Sequence, residues 1–205
     1  MKAEHILSSE DFKKCADFHG HVCPGLAIGY RVAKAGLDWL EEHRSMDEEL
    51  VAIVETDACG VDAIQVLTGC TFGKGNLIYE DVGKQAFTLL GRKAGKGVRA
   101  ALKPGVPHRG DRHWELMDKV RNETASEKEL KEFNDSRQQA IHEILSMPLE
   151  KLLNMEAVEV PLPSKARIEP SVICDGCGEP TMASKLVNAE GRKLCRTCYD
   201  KALAG

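Results

Sequence analysis

The stretch "LVAIVETDACGVDAIQVLTG" (residues 50–69) carries the strongest structural signal in this chain. Its first part, "LVAIVET" (50–56), is a compact run rich in β-branched residues, which is typical of a buried strand. Its last part, "GVDAIQVLTG" (60–69), predicts a short helix that ends at Gly69, with Val61, Ile64 and Leu67 facing inward. The stretch therefore predicts a strand that leads directly into a helix.

Two helices are predicted upstream of this stretch. Ser8 or Ser9, followed by Glu10 and Asp11, is a typical helix start. Pro24 fits the first turn of a second helix. The apolar stripe of that second helix has spacings of four and three residues, and it consists of Leu26, Tyr30, Ala33, Leu37 and Leu40.

Three strand-like runs follow the stretch, "NLIYEDV" (76–82), "QAFTLLGR" (85–92) and "GVRAALK" (97–103). Gly83-Lys84 and Lys93–Lys96 are short enough to join them as antiparallel hairpins. The order is thus helix, strand, helix and three strands. It predicts an α+β fold, with helices covering one face of a mixed sheet.

The rest of the chain predicts a long helix, a last core strand and a boundary. Residues 104–111 read as a loop. Residues 126–146 form a charged helix with the narrow apolar stripe Ile141, Ile144 and Leu145, which indicates an arm or a dimer contact rather than core. "EAVEV" (156–160) adds a strand, and the prolines of 161–171 indicate a linker. We therefore expect a core over 1–165 and a small domain over 170–205.

Composition restricts the function classes. Of the 205 residues 42% are hydrophobic and 29% are charged, as in globular proteins. A formal charge of −4 gives no support for a dedicated nucleic-acid binder. No segment is apolar enough to span a membrane, and the charged N-terminus does not resemble a signal peptide. We expect a cytoplasmic protein, whose 8 cysteines are ligands or working thiols rather than disulfides.

The last four cysteines have the spacing of a zinc site. Each C-x2-C turn can direct two thiolates at one ion, and "ASKLVNAEGRKLC" (183–195) predicts a hairpin between the turns. The alternatives are redox motifs or free thiols. About 35 residues with little apolar core would not stay folded without a metal, which favours a structural zinc in a zinc ribbon or treble clef. The predicted ligands are Cys174, Cys177, Cys195 and Cys198.

A second constellation lies in the first third of the chain. "FHGHVCPG" (18–25) places His19, His21 and Cys23 at alternate positions. "ETDACGVDAIQVLTGCTFGKGN" (55–76) adds further reactive side chains. Cys23 and Cys59 each stand at a predicted helix start, where backbone N–H groups favour a thiolate. If both helices pack on one sheet, these segments converge on a metal or catalytic thiol site that draws on Asp57, Cys59, Asp62, Cys70 and Lys74.

Plainer interpretations compete with parts of this site. Cys15 lies at an apolar helical position and is expected to be a small buried hydrophobe. Asp62 could equally serve only as an acid in the first turn of its helix. "GCTFGKG" is not a phosphate loop, because the glycine spacing is one residue short and a strand follows where a helix is required.

The two long motifs resemble the FmdE family, which takes its name from a component of formylmethanofuran dehydrogenase, in its longer form with a C-terminal zinc domain. "FHGHVCPGLAIGYR" and "DACGVDAIQVLTGCTFGKGNL" carry the resemblance, together with "NMEAVEV", "PSKARI" and the terminal cysteines. It implies an α+β core and a homodimer with exchanged elements, for which helix 126–146 is the candidate. The family's motif residues match here at His19, His21, Cys23, Cys59 and Cys70, with Asp62 and Lys74 alongside.

Membership would imply an association with anaerobic metal or C1 metabolism, such as methanogenesis, and with oxidoreductases. It would not imply the dehydrogenase reaction, which belongs to other components of the methanogenic complex. Nothing in this chain resembles a domain that binds the molybdenum or tungsten pterin.

Three hypotheses follow, and they leave open whether the chain is an enzyme. The first is a core site for zinc or another late first-row ion, held by His21, Cys59 and a neighbour, with Lys74 or Asp62 supplying charge or proton transfer. The second is an accessory protein for metalloenzyme assembly or regulation, whose zinc domain binds a partner protein or, with weaker support, nucleic acid. The third is thiol redox chemistry at Cys59 and Cys23.

Overall fold

The computed structural model describes residues 2–204, and the chain divides into two units, Met1–Lys165 and Ala166–Gly205. The first unit is a core of helices on a mixed sheet. Its helices are α1 (Ala3–Ser8), α2 (Glu10–His19), α3 (Pro24–Leu40), α4 (Gly60–Thr68), α5 (Asp111–Arg121), α6 (Glu127–Ser146) and α7 (Leu149–Leu152). Its strands are β1 (Leu50–Val54), β2 (Leu77–Tyr79), β3 (Ala86–Gly91), β4 (Lys96–Leu102) and β5 (Leu153–Val158).

The five strands form one sheet in the order β2-β1-β3-β4-β5. β1 pairs with β2 in parallel, and every other pairing is antiparallel. The predicted hairpin at Gly83-Lys84 is therefore wrong. The chain leaves β1 through α4 and returns beside β1 in the same direction, as a strand–helix–strand crossover requires. The second predicted hairpin is confirmed, since Gly91 of β3 pairs with Lys96 of β4.

The helical layer packs on the sheet through α3 and α4. α3 lies against β3 and β4, and α4 lies against β1. Gly36 of α3 allows the close approach, because a Cβ atom there would lie 2.6 Å from the Cδ1 atom of Leu89. Leu26, Ala33 and Leu50 are fully buried between the layers. The expected α+β fold with a mixed sheet is thus confirmed.

The helices α3 and α4 also touch each other backbone to backbone. A Cβ atom on Gly29 would lie only 2.1 Å from the carbonyl oxygen of Gly60, so this crossing admits no side chain at position 29. The contact fixes the N-terminal ends of both helices side by side, and the candidate site lies at these ends.

Helix α6 differs from the expected arm. Its capping box is formed by Ser126 and Glu129, and its C-terminal half enters the core, where Ile141 and Ile144 are fully buried. Arg31 of α3 donates to the carbonyl oxygens of Ile144, Leu145 and Met147 at 2.7–2.8 Å and so caps the end of α6. The narrow apolar stripe is therefore core, because it covers only the half of the helix that packs on α3.

Two helices were not predicted. α5 exposes most of its polar residues and buries only His113 and Leu116, so its sequence shows no apolar stripe. α1 is six residues long and buries only Ala3 and Ile6, which is too short a pattern to read as a helix.

The second unit contains two small hairpins and a helix. The hairpins are β6 (Ser171–Ile173) with β7 (Pro180–Met182) and β8 (Val187–Ala189) with β9 (Arg192–Leu194), and the helix is α8 (Arg196–Ala204). The β8–β9 hairpin turns at Glu190-Gly191 within the predicted "NAEG", and both turn residues have positive φ. In the described part of the chain, no helix is both long enough and apolar enough to cross a membrane.

Candidate metal and thiol centre

The first candidate centre forms where α2 ends and α3 begins. His19 is the last residue of α2, and Gly20 stops that helix in the left-handed region at φ 88°. Cys23 is the N-cap of α3, and its Sγ atom accepts a hydrogen bond from the Leu26 N–H at 3.3 Å. Pro24 then begins the helix with a φ that suits its first turn. The sharp turn between the helices brings the alternate His, His and Cys side chains together.

The geometry of this cluster suits a metal ion. One ligand atom from each of His19, His21 and Cys23 lies within 4.8 Å of the other two. Nε2 of His19 is 3.7 Å from Sγ of Cys23, and the two imidazole centroids are 4.5 Å apart. Ligand atoms on one tetrahedral zinc ion lie about 3.5 Å apart, given bond lengths of about 2.0–2.3 Å. Cys23 is buried, whereas His21 is exposed, so the cluster opens to solvent on the His21 side.

Asp62 of α4 fixes the orientation of His19. Its Oδ2 atom lies 2.6 Å from Nδ1 of His19, and the two side chains are 32% and 12% exposed. Nδ1–H then donates to the carboxylate, which leaves Nε2 with a free lone pair directed at Cys23. Carboxylates bonded in this way orient metal-binding histidines in many proteins and raise their basicity.

Cys59 reaches the same place from the start of α4. A Cβ atom built on Gly25 would lie 3.6 Å from Sγ of Cys59 and 3.8 Å from Sγ of Cys23. The two thiols therefore flank the bare backbone of Gly25. Glycine at this position leaves the space between the two sulfur atoms unfilled.

Burial raises the pKa of the Cys23 thiol, and the neighbouring Cys59 thiol adds to this effect. The backbone N–H groups of Leu26 and Gly25 act in the opposite direction. The N-terminal ends of α3 and α4 both face the cluster, and their dipoles favour negative charge. Desolvation and the neighbouring Cys59 thus disfavour the thiolate form of Cys23. A bound cation would instead favour the thiolate over the thiol.

Cys70 and Lys74 lie beyond the opposite end of α4, about 13 Å along the helix from Cys59 at 1.5 Å per residue. Cys70 is fully buried, and burial raises the pKa of its thiol. Lys74 donates through Nζ to the carbonyl oxygens of Met46 and Asp47, at 3.4 and 3.1 Å. Both residues are held by the structure around them rather than by the His and Cys cluster.

Two further residues that the sequence analysis considered, Cys15 and Asp57, lie outside the cluster. Cys15 is fully buried in α2, and burial raises the pKa of its thiol to about 12, as suits a small apolar side chain. Asp57 is exposed in the loop before α4.

Sequence reasoning missed a basic group whose charge acts on the Cys23 thiol. Arg109 lies in the loop before α5, and its Nη1 atom is 3.4 Å from Nε2 of His113. Burial lowers the pKa of Arg109, and so does the charge of Arg137, whereas Cys23 raises it. The loop thus brings a guanidinium into the electrostatic neighbourhood of Cys23. The Pro, Gly and His residues of 104–111 indicated only a loop. They did not indicate which part of the core this loop packs against.

The second candidate centre is the C-terminal cysteine cluster. One sulfur atom from each of Cys174, Cys177, Cys195 and Cys198 lies within 4.8 Å of the others. A Cβ atom on Gly176 would lie 2.8 Å from Cys198 Sγ, so the first turn needs glycine there. The two C-x2-C turns come from the β6–β7 loop and from the start of α8, and the β8–β9 hairpin joins them.

Hydrogen bonds prepare one of these sulfurs for a metal. N–H groups of Cys195 and Gly176 point at Sγ of Cys174, at 3.1 and 3.4 Å. These backbone hydrogen bonds lower the pKa of Cys174 to about 6, and the bond from Cys195 has the largest effect. The Cys195 thiol is the main cause that raises the pKa of Cys198 to about 12. Four thiolates this close repel one another, and a zinc ion removes that repulsion.

The chain is similar to a larger archaeal protein and to a solved bacterial structure. It is 34% identical over 193 residues to a "Probable S-adenosyl-L-methionine-binding protein" of Archaeoglobus fulgidus, a match that covers 90% of this chain and 51% of that protein. The chain thus spans about half the length of this relative. A tungsten formylmethanofuran dehydrogenase FmdE-like protein from Syntrophus aciditrophicus is similar over 96% of both chains, with 28% identity and a TM-score of 0.61.

Family comparisons cover both units. Residues 18–154 match the family described as "FmdE, Molybdenum formylmethanofuran dehydrogenase operon". Residues 167–202 match the prokaryotic dksA/traR C4-type zinc finger. These matches confirm the resemblance that the two long motifs indicated. The chain belongs to the FmdE family, in the form that carries a C-terminal C4-type zinc finger.

Proposed function

We propose that this FmdE-like protein binds a catalytic or sensing metal ion in its core and a structural zinc ion in its C-terminal domain. The observation that carries the core site is the cluster of three ligand atoms from His19, His21 and Cys23 within 4.8 Å, with His19 oriented by Asp62. Mixed nitrogen and sulfur ligands favour zinc or another late first-row ion.

Three protein ligands leave one coordination position free, as in catalytic zinc sites. A bound ion would supply a Lewis acid at that position. His21 is the exposed ligand, so a small molecule reaches the centre from the His21 side. Cys59 lies beside this position, where it is either the fourth ligand or a thiol next to the bound molecule.

The C-terminal centre is closed by four cysteines and leaves no free position, which supports a structural role. Its surface carries basic side chains, and the exposed Ile173 and Met182 lie in the first hairpin. These features support a docking role toward a partner protein. An accessory role of this kind fits the second sequence hypothesis.

The names of the relatives support a place near metal-dependent C1 metabolism. The family description names an operon of molybdenum formylmethanofuran dehydrogenase, and the similar structure is named for the tungsten enzyme. We propose that the chain serves a metalloenzyme of this class rather than carrying out its reaction. The archaeal relative is about twice the length of the matched region, so the binding named for it can belong to the half that this chain does not match.

Thiol chemistry is a second candidate function, and one observation favours it. Asp62 contacts His19, and His19 contacts Cys23, with 2.6 Å from carboxylate to Nδ1 and 3.7 Å from Nε2 to Sγ. This is the arrangement in which a histidine takes the proton of a cysteine nucleophile. Cys59 would then be the resolving thiol beside Cys23.

Counting metal ions in variants of the full chain separates the two functions. We expect the protein purified without oxygen to hold two ions and Cys23→Ser to hold one, while the buried Cys15→Ser control keeps both. If Cys23→Ser also keeps both ions, Cys23 is not a ligand and the thiol function takes precedence. Cys59→Ser tests the fourth position, since retention of both ions at full affinity would assign Cys59 to thiol chemistry.

A further inference from the structure

Arg109, in the loop before α5, and Arg137, in α6, lack the carboxylate partners that neighbouring basic residues have. Between α5 and α6, Arg112 is bonded to Glu132 at 2.8 and 2.9 Å, and Lys119 to Glu129 at 2.5 Å. Within the described residues, neither Arg109 nor Arg137 forms an ion pair with a carboxylate. A half-buried guanidinium without a counter-charge is costly, so this place favours an anion.

The hydrogen-bonding capacity of Arg109 is only partly used. Its Nε atom is buried and has no hydrogen-bond partner among the described residues. Nη1 contacts the neutral acceptor Nε2 of His113 at 3.4 Å, and the guanidinium carbon lies 5.7 Å from the centre of the Trp114 ring. These contacts hold the side chain in place without neutralising its charge.

His113 cannot supply the missing negative charge, and it fixes the site instead. Its Nδ1 atom lies 2.8 Å from the hydroxyl of Ser136, so Nδ1–H donates there and Nε2 faces Arg109 as an acceptor. Its ring lies 5.3 Å from that of Phe133, on which Arg137 rests at 5.8 Å. Arg109 thus contacts the neutral His113 directly, and Arg137 lies near it through Phe133.

A cavity of about 260 Å³ opens at this place, between the loop before α5 and the helices α5 and α6. Arg109, His113 and the mutually paired Arg112 and Glu132 line the cavity, together with Ser136, Gln139 and Glu143 of α6. Within the described residues Glu143 has no ion-pair partner, so it and Gln139 offer acceptors to a donor group of a ligand. The cavity is of a size that suits a small molecule rather than a single water.

We infer that this cavity binds the oxyanion end of a small molecule, a carboxylate or a phosphate, through Arg109 with Arg137 behind it. A guanidinium binds either group through two parallel N–H donors, and Nε with Nη2 is such a pair, which leaves Nη1 of Arg109 on His113. The inference goes beyond the proposed metal and thiol centre and does not depend on it, because none of the residues that line the cavity belongs to that centre.

Thermal unfolding of the full chain with acetate or inorganic phosphate tests the inference, with sodium chloride holding the ionic strength constant. We expect at least one anion to raise the unfolding midpoint with saturation, and the preferred anion tells a carboxylate from a phosphate site. Arg109→Gln should lower the affinity for that anion at least about tenfold, as the loss of a pair of charged hydrogen bonds does. The matched control is Arg121→Gln, on the exposed end of α5.

A chemical measurement covers the case in which Arg109→Gln does not fold. Phenylglyoxal modifies guanidinium groups, and peptide mass spectrometry locates the modified arginines. In the wild-type chain, the binding anion should slow modification of Arg109 but not of Arg121. The inference is overturned if neither anion stabilises or protects, or if Arg109→Gln binds as tightly as wild type.

Metal counts on the same samples keep the two proposals apart. Arg109→Gln should hold as many metal ions as the wild type, since Arg109 is not a ligand. An anion effect without core metal would contradict the metal centre and leave the anion site standing. Core metal without any anion effect would support the metal centre and contradict the anion site.

Discussion

At the scale of single residues, the centre depends on a contact that links distant parts of the sequence. His19, His21 and Cys23 are recognisable from "FHGHVCPG", because three ligand types at alternate positions are unusual in a loop. The role of Asp62 was not recognisable from the sequence. Asp62 is 43 residues away from His19, and it fits equally well as an acid in the first turn of a helix. Only the packing of α2 on α4 brings its carboxylate to Nδ1.

The Asp62→Asn variant should weaken core metal binding about 10- to 100-fold, the usual cost of removing an orienting carboxylate. The fold should persist, because the substitution preserves size. Metal competition with a chromophoric chelator measures the change, and the exposed Asp57→Asn is the matched control. Unchanged affinity in Asp62→Asn would show that His19 needs no orientation or is not a ligand.

His113 should make stability depend on pH near neutrality. Burial lowers its pKa below the usual 6.5, and the charges of Arg109 and Arg137 add to this. Between the lowered pKa and about 6.5 the unfolded chain binds the proton and the folded chain does not. The free energy of unfolding should therefore fall as the pH drops from about 7 through this window, and it should level off below the folded pKa.

Urea unfolding of wild type and His113→Asn at several pH values from about 7 to about 5 measures this effect. Asparagine retains a donor for Ser136 but does not titrate, so the variant should lose less stability across the window. His43→Asn, at an exposed site, should behave as wild type. Equal slopes in His113→Asn and wild type would mean that His113 is not the group that takes up the proton.

At the scale of elements, the bare backbone at the α3–α4 crossing positions the two thiols. A cysteine is the N-cap residue of each helix, and the contact of Gly29 with Gly60 keeps their N-terminal ends together. The sequence predicted both helices but not this crossing, because a glycine within an apolar helix indicates no partner. The sequence also predicted a hairpin between β2 and β3, whereas β2 pairs in parallel with β1. The short turn at Gly83-Lys84 does not show which strand β2 pairs with, because that depends on the crossover through α4.

The Gly29→Ala variant should destabilise the core by about 1–3 kcal/mol, the range for overpacking. The new Cβ would lie 2.1 Å from a backbone oxygen, so the helices must separate. Separation moves Cys59 away from Cys23, and core metal affinity should fall as well. Denaturant unfolding and metal titration measure the two effects.

Gly73→Ala is the control for this change, because a Cβ there meets nothing within 4 Å. It should leave stability and metal binding nearly unchanged. A Gly29→Ala protein as stable as wild type would refute the close crossing.

At the scale of the whole molecule, the two units rely on different sources of stability. The first buries a continuous apolar cluster from α1 to β5. In the described part of the second, Cys174 and Leu194 are the buried residues. A unit with so small a core depends on its metal. The cysteine spacing was therefore a sufficient signal for this domain, whereas the core site needed the tertiary fold to show which residues meet.

Removing the C-terminal zinc should unfold the second unit alone. Cys195→Ser deletes one ligand and leaves the core cysteines intact. Hydrogen exchange should then show fast amides from β6 through α8, while amides of α3 and β3 stay protected. Slow exchange in the second unit of this variant would mean that the unit folds without its metal.

The metal ion of the core is the feature on which the proposed function depends most. Native mass spectrometry of the full chain, purified without oxygen, tests it most directly by counting ions in wild type and in His19→Ala/His21→Ala. We expect two ions in the wild type, one in the double variant and two in the exposed-site control His43→Ala. A single ion in the wild type, or no loss in the double variant, would contradict it.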